Sequence, residues 1–325
     1  MQIFTNANFN FIKWRWHALV LSLVVIAAGA VMMITRGLPL GIDFSGGTHV
    51  VVQFEQPVTE DAVRRAVDAA IPGEKAVQSF GAAEDRQMLI KLPQVSTAEQ
   101  GANLEHGSKQ IVDALTKAGL PKFEVRQTEI VGPVIGADLQ RKGIYATIAS
   151  LVGITIYIAL RFRPSFALGA IAATLHDVFV TLAFLTFFGY DLSLNIVAAI
   201  LTITGYSVND TIVIFDRVRE NLRTMRREPL EHVVNLSVNQ TLSRTIITAG
   251  TTFLSVLSLY LFGGEVLEGF AFTMLVGIVS GTYSTVFIAA GIAILLSHRK
   301  RKPSQVSAPA AETGVRPARK GRRAS

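Results

Sequence analysis

Six apolar runs, each long enough to cross a bilayer as a helix, constrain this chain more than any other feature. They lie near residues 17–35, 143–160, 166–188, 192–214, 242–262 and 269–296. A helix needs roughly 20 apolar residues to span the hydrocarbon. Hydrophobic residues make up 50% of the sequence and mean hydropathy is +0.41, which separates the chain from ordinary soluble domains. The sixth run is long, so it is expected to begin in the interface or to run tilted. The first is read as an uncleaved anchor rather than a signal peptide. Its apolar core continues through Val31-Met32-Met33-Ile34, past the small residues Ala27-Ala28-Gly29-Ala30, whereas a signal core is usually ~7–15 residues. Between the first and second runs lie roughly a hundred polar residues, enough for one small soluble domain.

The net charge of +7 reads first as topology. Lys13 and Arg15 precede the first run, and Arg161 and Arg163 separate the second from the third. Arg217, Arg219, Arg223, Arg226 and Arg227 separate the fourth from the fifth, and Arg299, Lys300, Arg301 and Lys302 follow the sixth. The alternate loops, Gly189-Tyr190-Asp191 and 262–268, contain no Lys or Arg. Basic residues mark the cytoplasmic side, so both termini are expected in the cytoplasm and residues 37–140 outside. The tail, 298–325, is rich in Ala, Pro, Arg and Lys and is expected to be disordered. Anionic lipid headgroups are its expected partner. Nucleic acid is not, because no aromatics interleave with its Arg and Lys as a stacking platform requires.

The sequence has no cysteine, which excludes disulfides, Cys-ligated zinc, iron–sulfur clusters and a thiol nucleophile. The soluble parts carry no Ser-His-Asp grouping, Walker loop or hydrolase-type carboxylate pair. Neither an enzyme nor a cofactor is expected.

The outer segment reads as strand 49–54, helix 58–71 with Thr59 as its cap, strands 76–80 and 87–92, helix 96–118 weakened by Gly101 and Gly107, and strand 123–131. That βαββαβ order predicts a small ferredoxin-like α+β domain with two helices on one face. Gly41-Ile42-Asp43-Phe44-Ser45-Gly46-Gly47-Thr48 is glycine-rich, but a strand follows it where a phosphate loop would open a helix. A tight turn where the chain leaves the membrane is expected instead. Residues 1–36 thus hold the N-terminus and first span, 37–140 the outer domain and 141–297 spans two to six.

Two polar islands interrupt the spans. Thr202, Tyr206, Asn209, Asp210 and Arg217 recur at mostly three, four or seven residues and so share one face of the fourth span. Arg244, Thr248, Thr251, Ser255 and Ser258 make a matching stripe on the fifth. Both stripes are expected to point into a bundle rather than at lipid. Asp210 lies six residues before Asp216, about 9 Å above that end at 1.5 Å per residue, and Arg244 is similarly shallow. The two charges are therefore expected to meet at one level. A buried acid beside a buried base is either a static ion pair pinning two helices or a titratable site that exchanges protons, with Tyr206 and Asn209 placed to hold a water. His176-Asp177, in the middle of the third run, is either a hydrogen-bond clamp to a neighbouring span or a second relay element. As adjacent residues the two are not expected to face one partner equally, and they make a poor metal site. Gly277 and Gly281 form a close-packing face, within the chain or against another subunit.

Gly205-Tyr206-Ser207-Val208-Asn209-Asp210-Thr211-Ile212-Val213-Ile214-Phe215-Asp216-Arg217-Val218-Arg219-Glu220-Asn221 resembles the signature of the SecF family. Gly41-Ile42-Asp43-Phe44-Ser45-Gly46-Gly47, Val131-Gly132-Pro133, His176-Asp177 and Thr241-Leu242-Ser243-Arg244-Thr245 fit the same family, so the likeness covers most of 9–297. It implies an RND-superfamily fold of six spans with one periplasmic ferredoxin-like domain, in the inner membrane. It implies pairing with SecD, which supplies six further spans, and work with the SecYEG translocon, YajC and YidC. The implied task is completing the export of unfolded preproteins at the expense of the proton-motive force. By that resemblance Asp210 and Arg244 correspond to residues needed for proton conduction, and Asn209 stands where SecD has its own acid. Two rival readings are a scaffold for SecD or the translocon, and half of a small-molecule efflux pump. The pump would require larger porter domains than the single small one here.

Overall fold

The computed structural model describes residues 7–37, 40–71, 75–81, 84–93 and 106–300. In chain order, a 3-10 turn (Ile12–Trp14) leads into α1 (Arg15–Arg36) and a short helix α2 (Ile42–Ser45). The extramembrane domain follows as β1 (Gly47–Phe54), α3 (Glu60–Ala70), β2 (Ala76–Phe80), β3 (Gln87–Pro93), α4 (His106–Lys117) and β4 (Phe123–Val131). Then come α5 (Pro133–Arg161), α6 (Pro164–Phe188), α7 (Leu194–Thr224), α8 (Leu230–Phe262) and α9 (Glu265–Ser284), which continues through a π-helical turn (Thr285–Ala289) into α10 (Ala290–Lys300). Six helical segments are long and apolar enough to cross a membrane, in the positions the hydropathy predicts.

The small domain forms an antiparallel sheet of order β2-β3-β1-β4, the split arrangement expected of βαββαβ. Val50, Val52 and Phe54 alternate onto one face of β1. There they meet Val63 and Val67 of α3 and Ile111 and Leu115 of α4, a strand period of two against helix periods of three and four. Thr59 is the N-cap residue of α3, as read, although its side chain makes no capping bond. The first half of the second predicted helix and the basic tail beyond residue 300 lie outside the described residues. The glycine-rich segment differs from expectation. Residues 42–45 wind one helical turn rather than a simple tight turn, and Gly46, at φ 70°, closes it. A left-handed φ costs glycine almost nothing.

In the bundle α9 packs on α6, α7 and α8, α1 packs on α6, and α5 packs on α6 and α7. The sixth span is the most enclosed: 67% of its most apolar window is buried, against 11% for the second and fifth spans. Gly277 and Gly281 serve packing within the chain. A Cβ on Gly277 would fall 2.2 Å from Ile203 of α7, and one on Gly281 would fall 2.9 Å from Ser207 Cβ. The helices also run beyond their apolar runs. α7 continues to Thr224 and α8 begins at Leu230, because paired polar side chains carry the two-helix contact past the hydrocarbon. Asn221 donates to Ser237 Oγ and Gln240 Oε1 (both 2.8 Å), and Arg217 Nε donates to Gln240 Oε1 (2.7 Å). On the same extension Asn239 both accepts from Phe9 N–H (2.8 Å) and donates to Phe9 O (2.9 Å), and Asn235 accepts from Phe11 N–H (3.0 Å). These amides hold the segment before α1 as a neighbouring strand would.

At the opposite end the small domain rests on the α6–α7 loop. His49 and Lys91 are cross-strand neighbours on β1 and β3, and Lys91 forms an ion pair with Asp191. Burial, then the Lys91 charge, hold the His49 pKa down to about 4, against a smaller upward pull from Asp191.

Two outcomes follow. Gly277→Val forces a branched side chain into Ile203, which is 2% exposed and has nowhere to move. It should destabilise the detergent-solubilised protein by about 1–3 kcal/mol, read as a lower thermal midpoint. Gly250→Ala, where a Cβ meets nothing within 4 Å, should leave the midpoint unchanged or slightly raised. For His49, the folded domain binds a proton less readily than the unfolded chain. Its stabilising contribution is complete above about 6.5 and is lost as pH falls toward about 4. The thermal midpoint of His49→Gln should therefore fall less steeply than that of the parent between pH 7 and pH ~4.5.

Candidate functional site

α7 meets α9 and its π-helical turn through Ile203, Ser207 and Thr211, and Asp210 lies at the edge of that contact, in a cavity that Gly281 also lines. Thr245 Oγ–H of α8 donates to Asp210 Oδ1 at 2.7 Å. The other carboxylate oxygen is buried and has no hydrogen-bond partner among the described residues, and the same holds for the Tyr206 hydroxyl. Both residues line one small cavity with Ser207, Asn209, Val213, Arg244, Thr248, Ala249, Gly281 and Thr282. The site therefore gathers Asp210, Arg244, Asn209 and Tyr206 around one cavity.

Arg244 is exposed and not paired with Asp210, which corrects the reading of a buried base beside the acid and disfavours the static ion pair. Asp210 bonds Thr245, while Arg244 lines the cavity exposed and does not reach bonding distance of the carboxylate. Successive helical residues point about 100° apart. The α7–α8 contact gives the inward position to Thr245, 2% exposed, and turns Arg244 outward. The stripes differ from expectation for the same reason. Thr202, Asn209, Arg244, Thr248, Thr251, Ser255 and Ser258 are exposed on this chain. The hydroxyls of Thr202, Thr248, Thr251, Ser255 and Ser258 donate to carbonyls one turn back in their own helices, at 2.8–3.0 Å. The polar faces of α7 and α8 look away from the bundle that this chain builds. Arg217, the last of the stripe, is half-buried and bonded to Glu220 (2.6 Å) and Gln240.

His176 and Asp177 are apart from the cavity but connected to it. Asp177 is 1% exposed. Its Oδ2 accepts from Ser207 (2.6 Å) and Ser284 (2.7 Å), and its Oδ1 accepts from Ser280 (2.7 Å). His176 Nδ1 lies 3.1 Å from the same Oδ1, so the adjacent pair is in mutual contact rather than facing separate partners. A hydrogen bond to a charged group contributes about 1.5–3 kcal/mol, and a buried carboxylate without such donors is strongly destabilising. Three helices are thereby clamped around Asp177: α6 supplies the acid, α7 Ser207, and α9 Ser280 and Ser284. Ser207 is the link, since it also lines the Asp210 cavity. His176 Nε2 is buried without a partner among the described residues, and its ring lies 6.1 Å from that of Tyr283. Tyr283 O–H donates to Ala18 O of α1 at 2.6 Å.

Sequence reading did not single out Thr245, Ser207, Ser280 and Ser284 as partners of the two acids. Small hydroxyl residues are common in membrane helices, where they bond their own backbone. The available signal was spacing: Ser207 stands three before Asp210, and Ser280 and Ser284 stand four apart on one face.

Comparison with known proteins shows the family. Residues 110–299 match the family model for the protein export membrane protein SecD/SecF, C-terminal, and residues 31–58 match the SecD/SecF GG motif. The protein translocase subunit SecF of Rhodothermus marinus is 43% identical over 307 residues, covering 92% of this chain and 96% of that protein. The SecF subunit of Escherichia coli O157:H7 is 38% identical over 292 residues, covering 90% and 89%. The crystal structure of SecDF from Thermus thermophilus, described as a translocon-associated membrane protein, superimposes with a TM-score of 0.81 at 34% identity. The match covers 92% of this chain but 40% of that one. From a family model matching over half of the sequence and relatives aligned over nine-tenths of it, the chain belongs to the SecD/SecF family of protein-export membrane proteins, on its SecF branch.

Proposed function

We propose that this chain is a proton-driven auxiliary subunit of protein export, a transport component rather than an enzyme. It works in the inner membrane with both termini in the cytoplasm and residues 37–140 in the periplasm. The reading rests on one observation above all: Asp210 has one oxygen bonded to Thr245 and the other unpartnered among the described residues, in a cavity on a polar face that they leave uncovered. A membrane protein cannot leave such a face against lipid without cost. A second six-span bundle would cover it, and the solved SecDF chain, of which this one spans 40%, supports SecD as the subunit that does so. Topology follows from the Lys and Arg on alternate loops.

In this mechanism a proton arriving from the periplasm occupies the free oxygen of Asp210. Arg244, close by on the cavity wall, competes for the ionised carboxylate in the other half of the cycle. Tyr206 and Asn209 offer hydroxyl and amide groups along the route. A proton falling through ~100 mV releases about 2.3 kcal/mol, enough to exchange two helix arrangements of similar energy. His176 and Asp177 join the relay through Ser207, or serve only as the clamp. The export partners on this reading are SecD, the SecYEG translocon, YajC and YidC, with unfolded preprotein as cargo and anionic lipid at the basic tail.

Reconstitution with SecD and the translocon tests the reading. Asp210→Asn keeps the shape and one acceptor but cannot carry the proton. Proton flux should fall roughly 100-fold or more, as for loss of a proton-transferring side chain, and late-stage export should lose its dependence on proton-motive force. Unchanged flux and export would eliminate the relay. Arg244→Met separates relay from scaffold: the complex should assemble at parental yield yet lose proton-dependent export, whereas a pure scaffold would export normally. An efflux role would instead appear as loss of small-molecule resistance with export intact.

A further inference from the structure

The helix that carries Asp210 is fastened at its other end to the periplasmic domain. Asp43 of α2 accepts from Leu194 N–H, in the first turn of α7, at 2.9 Å. Ser193, the residue before that turn, supplies the local cap by accepting from Ile196 N–H at 3.3 Å. The foreign carboxylate therefore adds to a cap that α7 already has. One residue earlier, Gly41 N–H donates to Leu192 O at 2.8 Å, and Leu40 and Leu192 form a parallel β-bridge. Asp191 takes the third attachment, its ion pair with Lys91 on β3. Three residues within four, Asp191, Leu192 and Leu194, are thus tied to the outer domain by charge, backbone and cap.

The far side of these ties is equally firm. Ile42 and Phe44 of α2 are each 7% exposed. A Cβ on Gly136 of α5 would sit 3.1 Å from Gly46 N, so α2 is seated directly on the start of the second span. Gly46-Gly47 then passes straight into β1, the strand that pairs with both β3 and β4. Asp210 lies sixteen residues along α7 from Leu194, about 24 Å at 1.5 Å per residue, with no break in the helix between them.

We infer that Asp43, with Lys91 and Asp191, is a positioning device: a rigid joint that makes the outer end of α7 and the periplasmic sheet move as one body. A shift or rotation of α7 produced at Asp210 then reaches the sheet without loss. The inference rests on the relay reading above. Lys91 and Asp191 are half-buried, as is Asp43, so ion pair and cap are both shielded from full solvent screening. These two side-chain ties carry the coupling, and the backbone bonds fix where the two parts meet.

The chain has no cysteine, so the joint can be locked cleanly. Leu40→Cys with Leu192→Cys places two thiols at bridged positions, within the Cα spacing a disulfide accepts. In the reconstituted SecD complex the locked protein should conduct protons and export at the parental rate, because a rigid joint never opens. Asp43→Ala combined with Lys91→Ala cuts both side-chain ties and leaves only the backbone contact. That complex should assemble and keep its proton flux, while proton-dependent export falls to the level seen without proton-motive force. Asp43→Asn, which keeps an acceptor oxygen for Leu194 N–H, should restore export when Lys91 is retained. Export blocked by the disulfide and recovered with reductant would overturn the inference, since the contact would then be a latch that opens. Parental export by the cut protein would overturn it equally. Asp210→Asn in the same vesicles reads the relay separately: flux that survives there sinks the relay, whatever the locked and cut proteins do.

Discussion

Keeping a carboxylate inside a hydrocarbon layer requires donors, and the bundle supplies them unevenly to its two acids. Asp177 receives three serine hydroxyls and an imidazole contact from three helices. Asp210 receives one hydroxyl. Desolvating a charge costs several kcal/mol that only well-placed hydrogen bonds recover, so Asp177 is the more firmly held of the two. The asymmetry divides the bundle into a closed centre, where α6, α7 and α9 meet, and an open side, where the polar faces of α7 and α8 end.

Close packing makes the closed centre possible. Ser280 and Ser284 reach Asp177 because Gly277 and Gly281 bring α9 against α7. The π-helical turn follows directly after Ser284, and its first residue, Thr285, pairs with Thr211 of α7 at 2.9 Å. Such turns often occur at functional sites in long helices. Here one marks the level at which α9 ceases to serve Asp177. At the end of the bundle away from the small domain the Asn235 and Asn239 side chains hold the segment before α1, and Arg15 pairs with Glu231 at 2.7 Å. The first span, whose apolar window is 17% buried, is thus tied to α8 through polar bonds outside the hydrocarbon rather than by its own packing.

Much of the fold was legible in the chain. Strand 76–80 and strand 123–131 coincide with β2 and β4, since alternating residues bounded by turn residues have few other ways to bury an apolar face. The six spans followed from hydropathy alone. The helix ends did not: α8 starts at Leu230 because Ser237, Asn239 and Gln240 find partners, and hydropathy scores such residues as solvent. The one-turn helix at 42–45 was missed because four residues flanked by glycines carry no periodicity.

The candidate site divides along the same line. Sequence alone determined that Asp210, Asn209, Tyr206 and Arg244 gather at one place, because helical rise and spacing are properties of each helix by itself. It also determined that an acid so placed needs an explanation, because transfer free energy is a property of the side chain. Only the tertiary structure decided that Thr245 rather than Arg244 bonds the acid, that Ser207 joins two polar clusters, and that both stripes face outward. Each of those depends on how one helix is rotated against its neighbour. That rotation is set by the summed packing of residues such as Gly277 and Ile203, far from the charges whose meeting it controls.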